Sequence, residues 1–432
     1  MPAFTKKLTY YGSFFAISLL LTGCKKNNDP AVVTYPDKAT ATAPVVLLEI
    51  NGVKVYNGGF GSAIVKDPQS ADHFYLLTDR GPNIDGMISD SKIFAKPDFC
   101  PQIGKFKLEG TTLTLVQTIE MKNAAGVKIN GLPNPDGQGG TGEKAFDTNG
   151  NAITPSADGL DPEGMTIAPD GTFWLADEYG PHLLHLDANG KTIERINPFG
   201  NGTGGRKIPL VFAKRRANRG MEGLTLTPDG KTLVGIMQSP MYNPSKSAVK
   251  DSKVTRILTY DLTTGASKQF VYVLETSNLL NSEIVAVSNT VFLVLERDGE
   301  YAGDPSKPAI YKRVYKIDIT NATDISDAAN GEKGKLYGGK TVDELLDTPA
   351  LQAAGITPVS KSLLVDILKL SLSYPHDKAE GLAIINSTTI AISNDDDFGV
   401  VGLGTVTAKI LPSTNTVDQN TIFFIKLSTP LY

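Results

Sequence analysis

The sequence predicts an all-β protein, a single β-propeller of four-stranded antiparallel blades. Three observations predict it. Short alternating segments are separated by turns such as Ala168-Pro169-Asp170-Gly171, Thr227-Pro228-Asp229-Gly230 and Asp187-Ala188-Asn189-Gly190, which is an all-β signal. A motif recurs along the chain. Asp161-Pro162-Glu163-Gly164-Met165-Thr166-Ile167 returns as Gly220-Met221-Glu222-Gly223-Leu224-Thr225-Leu226 and as Lys378-Ala379-Glu380-Gly381-Leu382-Ala383-Ile384. It returns more weakly as Asn281-Ser282-Glu283-Ile284-Val285-Ala286-Val287, and in degenerate form as Phe60-Gly61-Ser62-Ala63-Ile64-Val65. Each copy is followed by a second apolar strand ending in polar residues, and two more alternating strands usually follow. Four antiparallel strands per repeat describe a propeller blade.

The elements follow in chain order. Lys6 and Lys7 precede a short apolar stretch over residues 8–21, too short to span a bilayer as a helix. It ends in Leu21-Thr22-Gly23-Cys24, which resembles a bacterial lipoprotein signal with Cys24 as the lipidated residue. Residues 1–23 are therefore read as a signal peptide and residues 24–43, poor in apolar side chains, as a flexible tether. The body, residues 44–432, is expected at the bacterial cell envelope, periplasmic or surface-exposed. Its expected membrane contact is through the lipid anchor only.

The motif copies anchor at positions 62, 163, 222, 283 and 380. A blade needs roughly 40–60 residues, so the two longer intervals carry insertions, one over residues 122–159 and one including residues 321–360. The second contains a short helix signal over residues 342–346. Five blades are counted; six is the alternative if an insertion hides a divergent blade. The last blade has strands at 382–386, 389–393 and 421–428 and lacks a fourth. Residues 45–55 form an unassigned strand pattern. The sequence thus predicts closure of the ring by this N-terminal strand, pairing in the last blade and hiding its edges.

Composition excludes several function classes. The 432 residues carry 42 Lys+Arg against 46 Asp+Glu, a net charge of −4, and no basic run of the kind nucleic acid requires. Two cysteines rule out a disulfide framework, and four histidines argue against a His-rich zinc site. Nucleophile-elbow, Walker A and His-Glu-x-x-His sequences are absent. A monomer is expected.

The innermost strand of a blade lines the channel, and the second runs antiparallel to it. The start of the first and the end of the second therefore share one edge. This predicts Glu163, Glu222, Glu283 and Glu380 at one mouth of the channel, beside Asp79, Asp177, Glu178, Glu296, Asn394, Asp395 and Asp396. Crowded carboxylates need compensation. A hard cation such as Ca²⁺ suits oxygen donors, and Arg80, Arg219, Arg297 and Lys378 stand close to the same strand ends. His182 joins them as a candidate mouth residue. The candidate assignment makes Glu163, Glu222 and Glu380 catalytic. Asp79, Asp177, Glu178, Glu283, Glu296, Asp395 and Asp396 hold metal. Arg80, Arg219, Arg297, Lys378 and His182 grip an anionic small molecule. The competing reading is structural: the repeated glutamate accepts backbone amides from a neighbouring blade.

Further stretches carry a resemblance. Thr78-Asp79-Arg80-Gly81-Pro82-Asn83, Asp161-Pro162-Glu163-Gly164-Met165 and Trp174-Leu175-Ala176-Asp177-Glu178-Tyr179-Gly180-Pro181 are similar to bacterial proteins with the phytase-like domain named "esterase-like activity of phytase". So are Asn218-Arg219-Gly220-Met221-Glu222-Gly223-Leu224 and Ala379-Glu380-Gly381-Leu382, and the likeness covers residues 45–428. The resemblance implies a β-propeller and a hydrolase-like activity. Three readings are open: a calcium-assisted hydrolase of phosphate or other esters, a non-catalytic receptor for a small ligand or protein partner, or a scaffold with only structural calcium.

Overall fold

The structure, a computed structural model, describes residues 1–7, 9, 33–42 and 44–432. The chain divides into two units, Met1–Thr34 and Tyr35–Tyr432. The described residues of the first carry no helix or strand. Cys24, and most of the signal and tether assigned around it, lie outside the described residues.

The second unit is a five-bladed propeller. From channel to rim, blade one is Ala63–Lys66, His73–Leu77, Gln102–Glu109 and Thr112–Glu120. Blade two is Pro162–Ile167, Phe173–Asp177, His182–Leu186 and Thr192–Ile196, and blade three is Met221–Leu226, Thr232–Met237, Val254–Asp261 and Ser267–Val273. Blade four is Leu280–Ala286, Val291–Arg297, Lys312–Asp318 and Ser360–Asp366. Blade five is Leu382–Asn386, Thr389–Ser393, Thr421–Lys426 and Lys38–Ala41. The inner strands touch in sequence from blade one to blade five and back to blade one, which closes the ring.

The N-terminal closure holds, but with a different strand. Lys38–Ala41, placed in the tether by the sequence reading, pairs antiparallel with the last strand, Lys38 opposite Phe423 and Thr40 opposite Thr421. It also pairs in parallel with the rim strand of blade one, Thr40 opposite Thr112. Residues 45–55 do not pair with 421–428. Asn51 and Gly52 both adopt positive φ, and Val46–Ile50 folds back on Val53–Tyr56 as a hairpin. An Asn-Gly pair with positive φ at both positions matches the twist of a two-residue hairpin. The hairpin packs on Phe398, Val400 and Val406 at the mouth side of blade five.

Apolar layers between adjacent blades form the core. Trp174, Leu183, Met221, Leu224 and Tyr260 fill the space between blades two and three. Ile236, Tyr272, Phe292 and Tyr315 do so between three and four. Burying such side chains contributes about 1.5–3 kcal/mol each, which drives the blades together. The insertion over 321–360 holds the expected short helix as a 3₁₀ turn, Val342–Leu345, with a capping box between Thr341 and Glu344. Its Asp343 is ion-paired with the buried Arg256 of blade three at 2.6 Å. In the 122–159 insertion, Lys144–Phe146 joins Asn83–Asp85 and Ser91–Phe94 in a small sheet, which brings the loops of blades one and two together.

Candidate functional site

Each inner strand of blades two, three and four begins with a bulge. In blade two Pro162 opposes Asp177 and Gly164 opposes Ala176, leaving Glu163 unpaired between them. Glu222 is in the same position in blade three. A bulged residue is freed from the ladder and re-aimed, and here both glutamates line the mouth. The following glycines allow it. A Cβ on Gly164 would stand 2.5 Å from the Leu224 amide nitrogen, and one on Gly223 2.5 Å from that of Ile284. Neighbouring inner strands meet backbone to backbone there.

The mouth is a cavity of about 270 Å³ lined by Asp79, Asp161, Glu163, Glu178, Glu222 and Glu380, with Arg80, Arg219, Arg297, Lys378 and Asp397. Sequence reasoning had placed eight of these there: Asp79, Glu163, Glu178, Glu222, Glu380, Arg80, Arg219 and Arg297. Lys378 is a ninth, and its Nζ reaches Asp395 Oδ2 at 2.7 Å, which keeps Asp395 beside the mouth as well. Asp161, Gln238 and Asn218 also line it and were missed, and so does Asp397, the last residue of the acidic run Asn394–Asp397 whose place at a strand end favours the mouth. Asp161 stood inside the quoted motif, at the position where blade five carries Lys378, so a charge two residues before the repeated glutamate was the available signal.

Five placements are corrected. In blade four the unpaired bulge residue is Ser282, and Glu283 takes the place of the glycine, opposite Leu295. Glu283 does not reach the mouth; its Oε1 accepts the Leu224 and Ile284 amides at 3.0 and 2.9 Å. It is the blade-joining residue of the structural reading. Asp177 and Glu296 precede the mouth positions by one residue, so strand alternation turns them to the other side. Asp177 engages His182 and accepts the Asp161 and Gly180 amides at 2.7 and 2.9 Å. Glu296 accepts the Tyr272 hydroxyl and Lys361 Nζ, both at 2.6 Å. Asp396 accepts the Gly59, Phe398 and Asn420 amides. His182 is buried between Asp177 and Arg195, because it is paired with Asp177 across the second and third strands.

Three of the four cations are already partnered. Arg80 donates to Glu143 Oε1 at 2.9 Å and to the Tyr179 hydroxyl at 3.1 Å, and its Nε lies 3.5 Å from Asp161 Oδ2. Arg297 donates to Glu380 Oε1 at 2.6 Å and to Ser282 Oγ at 2.9 Å. Lys378 bridges Asp395 and Asp397, and the buried Lys409 adds a second contact to Asp397 at 2.7 Å. Arg219 differs: among the described residues its guanidinium has no hydrogen bond and no ion pair, while it lines the cavity.

The carboxylates respond to crowding. Burial, then Glu222 and Asp161, pushes Glu163 well above the usual carboxylate range. Burial, then Glu178 and Glu380, does the same to Glu222. Burial and Asp161 push Asp79 up to about 8, and burial and Asp161 push Glu178 up to about 7. Burial acts against ionisation of Asp397 too, yet Lys378 and Lys409 hold it below the ordinary range. Carboxylates of Asp79, Asp161 and Glu163 bring oxygens within 4.8 Å of one another. Asp161 Oδ2 and Glu222 Oε2 are buried and accept no hydrogen bond. An all-oxygen set with an orphaned acceptor fits a hard divalent cation.

A secreted protein of Arthroderma benhamiae, named as uncharacterized, is 27% identical over 289 residues, which span 58% of this chain and 53% of that protein. The chain thus spans about half the length of that relative. Among solved structures, a periplasmic gluconolactonase of Pseudomonas aeruginosa is 8% identical, with 88% of each chain covered and a TM-score of 0.29. The PQQ-bound aldose sugar dehydrogenase of Streptomyces coelicolor is 10% identical, covering 87% of this chain and 85% of that one, with a TM-score of 0.31. Residues 56–398 match the phytase-like family described as esterase-like activity of phytase, and the chain belongs to that family.

Proposed function

We propose that this protein is an envelope-located hydrolase of phosphate or other anionic esters, working at the channel mouth with calcium. The observation that carries the proposal is one juxtaposition. Three converging carboxylates, Asp79, Asp161 and Glu163, share a cavity with Arg219, whose guanidinium has no protein partner among the described residues. Family membership supports the hydrolase reading.

Asp79, Asp161 and Glu163 would hold a divalent cation, which would supply Lewis-acid polarisation and a more acidic water. The remaining chemistry belongs to this chain. Arg219 binds the anionic group by charge-assisted hydrogen bonds. Glu222 moves the proton: its Oε2 is unpartnered, and its Oε1 is fixed by Gln238 Nε2 at 2.7 Å. Gln238 also donates to Glu178 Oε1 at 3.1 Å, which holds the two carboxyl groups on one common donor. Glu380 is neutralised by Arg297 and serves to position that arginine rather than to exchange protons.

Hydrolysis of a panel of phosphomonoesters, phosphodiesters and carboxylic esters tests the reading, with calcium and with chelator. Chelator-sensitive turnover that is lost in Glu222→Gln is the expected result. Calcium and anion binding with no ester cleaved would favour the receptor alternative instead. The secreted relative supports an exported location, and lipidation of Cys24 is part of the same proposal. Cys24→Ala should abolish detergent-phase partition; unchanged partition refutes the anchor.

A further inference from the structure

Two hairpin tips overhang the mouth. One connects Asn83–Asp85 to Ser91–Phe94 and presents Met87 and Ile88; the other connects Val400–Val401 to Thr407–Ala408 and presents Leu403. They come from blades one and five and are stitched together, with the Asp85 amide donating to Gly402 O at 3.1 Å and the Gly404 amide to Asp85 O at 2.8 Å. Met87 lies against Gly404, where an added Cβ would stand 2.7 Å from its Cγ.

These tips are apolar and open. Met87 is 76% exposed, Leu403 65%, Ile88 54% and Val401 46%. Single exposed apolar residues are ordinary, but a contiguous group beside a polar cavity marks a binding surface. The group borders a second cavity of about 410 Å³, lined by Met87, Ile88, Ala217 and Leu403. Asp85, Lys92 and Asn218 line both this cavity and the mouth, so the two adjoin.

We infer that the substrate is amphiphilic: an anionic ester group enters the mouth while an apolar arm lies along Met87, Ile88 and Leu403. This rests on the proposed function for the anionic end only. The mouth is lined mostly by polar and charged side chains, with only Ile84, Leu280, Val400 and Val401 as large apolar contacts for a hydrocarbon arm. The shelf supplies that surface without charged side chains other than those it shares at the junction and Glu143, which Arg80 neutralises, and Asp90 at the hairpin tip. A shelf open on one side covers an arm about half, so each added methylene should tighten binding roughly twofold, against about fourfold for full burial.

Calorimetric titration with ethyl- to decylphosphonate, in calcium, tests this without requiring turnover. Affinity that rises with arm length, and a slope flattened in Met87→Ser/Leu403→Ser, is the expected result. It would hold even if no ester were cleaved, in which case the hydrolase reading alone would fail. A length-independent affinity, or no phosphonate binding, overturns the inference even if short esters are hydrolysed. So does a double variant that keeps the length dependence but loses sedimentation with phosphatidylglycerol vesicles, or that alters only self-association; the tips would then be a lipid or protein contact. Both substitutions are at exposed tips, and an unchanged melting temperature verifies folding.

Discussion

Blades three and four carry the same local geometry and opposite chemistry. Each inner strand opens with a bulge, and each second strand ends at the mouth. In blade three the bulge holds Glu222 and the strand end is Gln238; in blade four they are Ser282 and Arg297. The position after the bulge is Gly223 in one and Glu283 in the other. The propeller thus supplies equivalent positions, and the residue at each decides between function and cohesion. Glu222 is left with an unpartnered oxygen in a cavity, whereas Glu283 spends its carboxyl group on two amides.

Glu222→Gln should break the comparison most strongly. It removes the proton-transferring carboxyl group and should lower ester turnover by at least ~100-fold, in steady-state assays on any substrate the panel identifies. Glu283→Gln, which keeps an acceptor for the two amides, should leave turnover within a factor of about three, a change under ~1 kcal/mol in transition-state terms. Equal losses in both variants would mean that Glu222 acts through the fold.

Metal and proton should compete at the mouth. Asp79 and Glu178 have folded-state values of about 8 and about 7, above the roughly 4 of unfolded carboxyl groups. A raised carboxyl pKa contributes stability that is fully present below the unfolded value and is lost as pH rises through the folded one. The metal-free protein should therefore lose thermal stability between about pH 4 and pH 8 from these groups. Calcium at about a hundred times its pH 8 Kd should restore about 2.7 kcal/mol at pH 8, and the same concentration should restore less at pH 5, because bound protons must leave first. Melting curves with calcium and with chelator check this, and Asp161→Asn should remove the difference. No calcium-dependent shift at either pH would make the ring structural.

Glu283→Ala should cost about 1–3 kcal/mol in denaturant unfolding by leaving two buried amides unsatisfied, with Glu283→Gln recovering most of it. This measures the cohesion half of the comparison directly.

Arg219→Ala should have the smallest effect on the fold. It should weaken phosphate or phosphonate binding by about tenfold, the loss of one charge-assisted contact of roughly 1.4 kcal/mol. Calcium binding should be spared. The other mouth cations already neutralise carboxylates, so Arg297→Ala should instead destabilise the protein by stranding Glu380.

Side-chain parity separates what was legible from what was not. The repeat and its spacing placed Glu163, Glu222, Glu380, Asp79 and Glu178 at one mouth, because antiparallel strands bring those ends to the same edge whatever the loops do. Asp177 and Glu296 were read one residue too generously: only the pairing register says which of two adjacent polar residues turns to the channel. The run Asn394–Asp397 shows the same limit, since Asp395 and Asp397 meet Lys378 while Asp396 turns to backbone amides.

By itself, the sequence determined the all-β class, a propeller of five or six blades, closure by an N-terminal strand, and the convergence of carboxylates with Arg80, Arg219 and Arg297. These depend on periodicity, turn chemistry and repeat length, which are local. Tertiary structure alone decided that Lys38–Ala41 is the closing strand, since its polar residues occupy a rim position with little apolar demand. It alone shifted blade four by one residue, so that Ser282 and not Glu283 occupies the bulge. It alone left Arg219 without a protein partner among the described residues while Arg80, Arg297 and Lys378 found theirs. Which cation meets which carboxylate depends on distances across the channel, between residues far apart in the chain, and no local pattern encodes them.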